Sequence, residues 1–91
     1  MRMELEVPDY DNGLHMVWDP GFDIRAVIEG GGVHIQANRA GLISLARLML
    51  TLAGERVPDT SHWHLDPMPV GGLEPDSVSL IIGREASPRL A

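Results

Sequence analysis

Seven residues concentrate the reactive side chains of this chain: Ser61, His62, Trp63, His64, Leu65, Asp66 and Pro67. His-x-His-x-Asp is a spacing that binuclear metal hydrolases use. In an extended strand, side chains two apart point the same way, so His62 and His64 could offer two imidazoles to one ion. The pattern then falls short. Those hydrolases follow the aspartate with a further histidine, where this sequence has Pro67, and no histidine comes after His64. They also need a much longer chain and more ligands downstream. Only His34 and His15 remain as histidines to complete a mononuclear site. Cysteine is absent, so any metal would need His, Asp or Glu. The plainer expectation is a strand with two surface imidazoles backed by Trp63, holding no metal and no cofactor.

Other catalytic arrangements have less support. No serine sits in a Gly-x-Ser-x-Gly elbow, and Ser61 is only a sequence neighbour of His62. Glu29 to His34 reads EGGGVH, which is glycine-rich and follows a strand. A phosphate loop would lead into a helix with further signature residues, whereas a strand follows here, so the segment reads as a hairpin turn. Glu4 and Glu6 lie two apart on the wet side of an early strand and read as solvated charges. No catalytic residue is assigned, and the expectation is a protein that is not an enzyme.

Ninety-one residues make one small domain with a shallow core. Hydrophobic residues make up 44% of the chain, too many for a disordered protein, and with two Trp, one Tyr and one Phe the core must be mainly aliphatic. The formal net charge is −6, and all seven basic residues are Arg. An acidic surface repels phosphate backbones, which disfavours nucleic acid as a partner. It would steer a basic protein towards the domain. No apolar run is long enough to span a membrane, and the N-terminus lacks the apolar stretch of a signal peptide, so a cytoplasmic location is expected.

The elements that must position the histidines follow from periodicity. Met3–Val7, Leu14–Trp18, Ile24–Ile28 and Val33–Ala37 alternate with period two and are separated by turn residues. They predict a four-stranded antiparallel meander, with Ile24, Ala26, Ile28, Val33, Ile35 and Ala37 inward. Asn38 is a good helix cap, and Gly54 a good stop. Between them, Leu42, Leu45, Ala46, Met49, Leu52 and Ala53 form an apolar stripe, with Ser44, Arg47 and Thr51 opposite. The expected packing sets Leu45, Met49 and Leu52 on Leu5, Ile35, Leu80 and Ile82. His62–Leu65 predicts a short strand, Asp66–Asp76 a loop, and Ser77–Gly83 the last strand. The fold class is α+β, ordered β-β-β-β-α-β-β. A mostly antiparallel sheet of about six strands carries one helix on one face. Residues 1–83 form the domain and 84–91 a flexible tail.

These segments also resemble a family. The Asn38 cap, GLISLARLMLTLA (Gly41 to Ala53), SHWHLD (Ser61 to Asp66) and LEPDSVSLII (Leu73 to Ile82) occur in that order. Together they resemble Immunity protein 32, a family of bacterial polymorphic toxin systems. The resemblance implies a small α+β domain that binds and neutralises a cognate protein toxin. It assigns no catalytic residue and gives His62, His64 and Asp66 no separate role. The expected partner surface combines the polar sheet face with the Asp66–Asp76 loop. It contains His34, His62, His64, Asp66, Glu74 and Asp76, with Glu4, Glu6, His15, Arg25 and Gln36 on the same face. Two other readings stay open: a small metal-dependent enzyme centred on the His-x-His-x-Asp segment, and a domain that only forms homo-oligomers.

Overall fold

The computed structural model describes residues 1–86. Two strands, β1 (Ile24–Glu29) and β2 (Gly32–Ala37), pair antiparallel from Ile24 opposite Ala37 to Glu29 opposite Gly32. Gly30 and Gly31 join them with φ of 58° and 78°. Two successive left-handed residues give the turn twist that a tight hairpin needs, and glycine adopts them without steric cost.

The chain then enters helix α1 (Arg39–Leu52). Asn38 performs two tasks at its start. Its Oδ1 accepts the Gly41 amide at 2.8 Å, as a helix cap should, and also the Asp23 amide at 3.0 Å. One side chain therefore starts the helix and closes the base of the hairpin.

The buried face of α1 is Gly41, Ser44, Leu45, Leu48, Thr51 and Leu52. It is rotated from the expected stripe: Leu42, Ala46, Met49 and Ala53 are exposed, whereas Ser44 and Thr51 are inside. The reason is local hydrogen bonding. Ser44 Oγ donates to Ala40 O at 2.8 Å, and Thr51 Oγ1 donates to Arg47 O at 2.7 Å. Ser44 Oγ also accepts the Asp19 amide at 2.8 Å. A hydroxyl with its partners supplied can be buried at little cost, which a hydropathy pattern does not register.

After a loop, β3 (His62–Pro67) lies at the centre of a second sheet of order β4-β3-β5. Its antiparallel neighbour is β5 (Leu80–Gly83), and its parallel neighbour is the two-residue β4 (Gly72–Leu73). The architecture is α+β, but the expected single sheet of about six strands is instead two small sheets, of two and three strands. They join through the segment after β4. Glu74 N donates to Ile24 O at 2.8 Å and Val78 N to Ala26 O at 2.8 Å, while Ser77 Oγ accepts the Ala26 amide at 3.1 Å. This strap occupies the edge of β1 that faces away from β2.

Two expected strands are absent. Met3–Val7 and Leu14–Trp18 alternate but join no ladder. They run as irregular chain, with Leu14, Trp18 and Phe22 half-buried against the core and Trp18 stacked on Phe22 at a centroid distance of 4.4 Å. Arg47 fastens this segment to the helix, donating to Glu6 O at 3.1 Å and to the Asp19 carboxylate at 2.6 Å.

The core is Ile24, Ala26, Leu45, Leu48, Leu52, Trp63, Leu65 and Leu73. Leu45 and Leu52 lie in the core, with Leu80 and Ile82 partly buried against the cluster, as expected; Met49 and Ile35 are instead exposed, and Leu5 is not among the residues packed on the cluster. Arg84, placed in a flexible tail by the sequence, is held firmly. Its Nη1 donates to Leu52 O at 2.8 Å and Gly54 O at 2.6 Å, satisfying carbonyls at the end of α1 where the helix dipole is negative. Residues 87–91 of that expected tail lie outside the described residues.

Candidate functional site

Strand β3 carries the His-x-His-x-Asp motif. Its side chains alternate cleanly: Trp63 and Leu65 are buried, His62 and His64 exposed. Trp63 anchors the strand to the helix, since its indole Nε1 donates to Leu48 O at 2.8 Å. An indole buried with its N–H satisfied contributes apolar contact without an orphan donor. The strand is thereby fixed, and the two imidazoles project from its outer face with ring centroids 4.8 Å apart, edge to face. The carbonyl of Thr60 lies 3.1 Å from His62 Nδ1 and can only accept, so Nδ1 carries a proton and Nε2 points elsewhere.

Asp66 continues the same face and accepts a hydrogen bond from Ser79 Oγ at 2.7 Å. On the neighbouring strand, Ile81 sits opposite His64 and is exposed. The outer face of β3 and β5 is therefore a mixed patch of two imidazoles, a fixed carboxylate and one aliphatic side chain. Ile81 is the member that sequence reasoning missed. Its position beside His64 depends on the β3–β5 register, which has no local signal in the sequence. Among the described residues, no group of three or more His, Cys, Asp or Glu could hold a metal ion.

The other expected residues lie on a different surface. Arg25, Gln36 and His34 occupy the outer face of the β1–β2 hairpin, and His34 Nε2 donates to Glu29 O at 3.1 Å. Asp76, in the strap, pairs with Arg25 at 2.9 Å. The hydrogen bond from Arg25 holds the Asp76 carboxyl below the usual aspartate range. Glu74 behaves in the opposite way. A hydrogen bond to Asp23, which only protonated Glu74 can donate, and the Asp23 charge itself push its pKa up. A shallow pocket of about 390 Å³ opens here, lined by Asp23, Arg25, Gln36, Asn38 and Glu74 among others. The structure thus divides the six candidates: His62, His64 and Asp66 on the β3–β5 face, and His34, Glu74 and Asp76 around the hairpin. Glu4, Glu6 and His15 are exposed but stand in the N-terminal irregular segment, outside both sheets.

No described helix is long and apolar enough to cross a membrane. Neither the curated proteins nor the solved structures contain a match to the chain. The family model described as Immunity protein 32 matches residues 32–85, from β2 through the helix, both strands of the histidine-bearing face and Arg84. That span is more than half of the chain, and the protein belongs to the Immunity protein 32 family.

Proposed function

We propose that the protein is a non-enzymatic cytoplasmic immunity protein that neutralises its cognate toxin by covering part of the toxin's surface. The observation that carries this reading is the outer face of β3 and β5. His62, His64, Asp66 and Ile81 stand together there, inside the span matched by the family. Trp63 and Leu65 fix the strand from beneath, and Ser79 fixes the carboxylate. Side chains already ordered before binding lose less entropy in a complex. The patch also mixes hydrogen-bonding groups with an aliphatic contact, as interfaces do. The net charge of −6 adds steering towards a basic partner. Glu74, Asp76 and His34 supply a second contact region in this reading.

The test is to identify the product of the adjacent gene and express its toxin domain with and without this protein. Rescue of growth and co-purification of the two chains are the expected results. Neutralising Asp66, Glu74 and Asp76 together should slow association, most at low salt, and His62→Ala with His64→Ala should speed dissociation. Failure of the intact protein to bind or protect would sink the proposal.

A further inference from the structure

We infer that the open edge of β2 pairs with β2 of a second copy of this chain, joining two hairpins into one antiparallel four-stranded sheet. The inference is independent of toxin binding. Among the described residues, β2 has β1 as its sole strand neighbour, whereas the far edge of β1 is covered by the strap. The ladder fixes which main-chain groups face outward. Asn38 N donates to Asp23 O, and antiparallel pairs alternate along the register, so Gln36, His34 and Gly32 bond to β1. Val33 and Ile35 therefore direct their N–H and C=O groups to the open side.

Proteins ordinarily blunt such an edge with lysine, proline, a bulge or an inward charge. The six residues of β2, GVHIQA, contain none of these, and their register runs without a bulge. The other edges are poorer templates. β4 has two residues and β5 has four, with Arg84 just beyond β5 committed to the end of the helix.

The side chains point to a copy of the same chain as the occupant. Ile28, Val33 and Ile35 share one face of the hairpin with Ile24 and Ala26, but are 67%, 64% and 41% exposed. The hairpin's apolar face extends past the core it helps to cover. When two copies of β2 pair antiparallel about a two-fold axis, Val33 and Ile35 of one copy meet Ile35 and Val33 of the other. The two exposed stripes then become one. On the opposite face the facing residues are His34 and Gln36, neither of which is acidic. Although each chain carries −6, no charged residue stands in β2, so no like charges are opposed at the seam. Nor does β2 carry a charge that would select a basic foreign strand. Self-pairing fits its composition better.

Sedimentation equilibrium of the intact protein, from low to several hundred micromolar, should show a reversible dimer that higher salt strengthens by screening the net repulsion. Two changes should weaken it. Ile35→Pro removes an outward N–H and leaves the ladder bonds of His34 and Gln36 in place, a position where an edge proline is tolerated. Val33→Lys, at an exposed site, sets a charge against Ile35 of the other copy twice over and should weaken the dimer roughly tenfold, with no loss of thermal stability in dilute protein. Ile81→Lys, on the other sheet, should leave the dimer unchanged. If Ile35→Pro fails to fold, Val33→Lys decides the question. A monomer at every concentration, or a dimer indifferent to Val33→Lys, would overturn the inference; so would a dimer lost in Ile81→Lys, which would place the seam on β5.

Discussion

Strands β2 and β3 are both six residues long and both carry apolar side chains at alternate positions. On β3 those side chains, Trp63 and Leu65, are buried, and the strand has a ladder neighbour on each side. On β2 the equivalent side chains, Val33 and Ile35, are exposed, and one edge has no ladder partner among the described residues. The difference lies outside the strands. Helix α1 places Leu45, Leu48 and Leu52 in one cluster with Trp63 and Leu65, but the hairpin contributes only its base, Ile24 and Ala26, to that cluster. Alternation decides which side chains share a face; the rest of the chain decides whether that face is covered.

The sharpest way to break this comparison is to truncate equivalent positions. Leu65→Ala should cost about 2–5 kcal/mol and Trp63→Ala about 3–5 kcal/mol, as in other buried cores. Leu45→Ala, on the helix side of the same cluster, should also cost about 2–5 kcal/mol. Val33→Ala should stay within about 0.5 kcal/mol when measured on dilute protein. Urea titrations compare the four directly. A Val33 cost near that of Leu65 would mean that the hairpin face is covered in solution.

The second prediction tests the junction of the two regions, Gly41. A Cβ built there would meet Asp23 O, Ile24 Cγ1 at 2.9 Å and Ala37 Cβ at 3.0 Å. Those atoms belong to the base of the hairpin, and one is backbone. Alanine would improve helix propensity by up to about 1 kcal/mol. Overpacking typically costs about 1–3 kcal/mol, and with three close atoms it should win. Gly41→Ala is therefore expected to destabilise, by thermal melt, and to loosen the hairpin first, as hydrogen exchange at β1 amides would report.

Much of this architecture is legible in the residues themselves. The Asn38 cap, the Gly30-Gly31 turn and the alternation of His62 to Leu65 act through near neighbours, and each is found where its chemistry predicts. The failures share a cause. Leu14–Trp18 has the right period, but the strap already holds the edge of β1 where a meander would place it, and Met3–Val7 is then left without the strand it would have joined. Ser44 and Thr51 enter the core because hydrogen bonds within one helical turn satisfy them. The single polar face expected to carry all the histidines is divided because the sheet is divided. The pairing of Glu74 with Asp23 joins residues far apart in the chain and leaves no local signal.

Arg84 sharpens the contrast from the well-held side. It ties the end of β5 to the end of α1 through two carbonyls, and its side chain is only 27% exposed. Arg84→Ala should cost about 1–2 kcal/mol, the range for a charged donor at a helix C-terminus. Arg84→Lys should recover part of that. The ion pair with Asp59, at 3.8 Å between partly exposed groups, should add little to this. A neutral Arg84→Ala would mean that these two hydrogen bonds contribute nothing to stability.

The smallest effect is expected at the strap that joins hairpin and core, and it depends on pH. Glu74 has its pKa raised in the folded protein, chiefly by Asp23, so the native state binds a proton there before the unfolded chain does. Its stabilising contribution is present below the unfolded glutamate pKa and is lost as pH rises through the folded value. Asp76 has the opposite sign. Its pKa is lowered by Arg25, so its contribution is present above the unfolded aspartate pKa and is lost as pH falls through the folded value. On mild acidification from neutrality, Glu74 should therefore firm the strap before loss of the Arg25–Asp76 pair loosens it. Glu74→Gln, which keeps a donor for Asp23 and removes the repulsion, should raise stability slightly at neutral pH and remove the gain on mild acidification. Asp76→Asn should preserve that gain but flatten the loss at lower pH. Carboxyl NMR titrations of Asp23, Glu74 and Asp76, read beside melting curves across the same range, separate the two. If Glu74 titrated below an ordinary glutamate, Arg25 and not Asp23 would be the dominant charge on it, and acidification would loosen the strap from the outset.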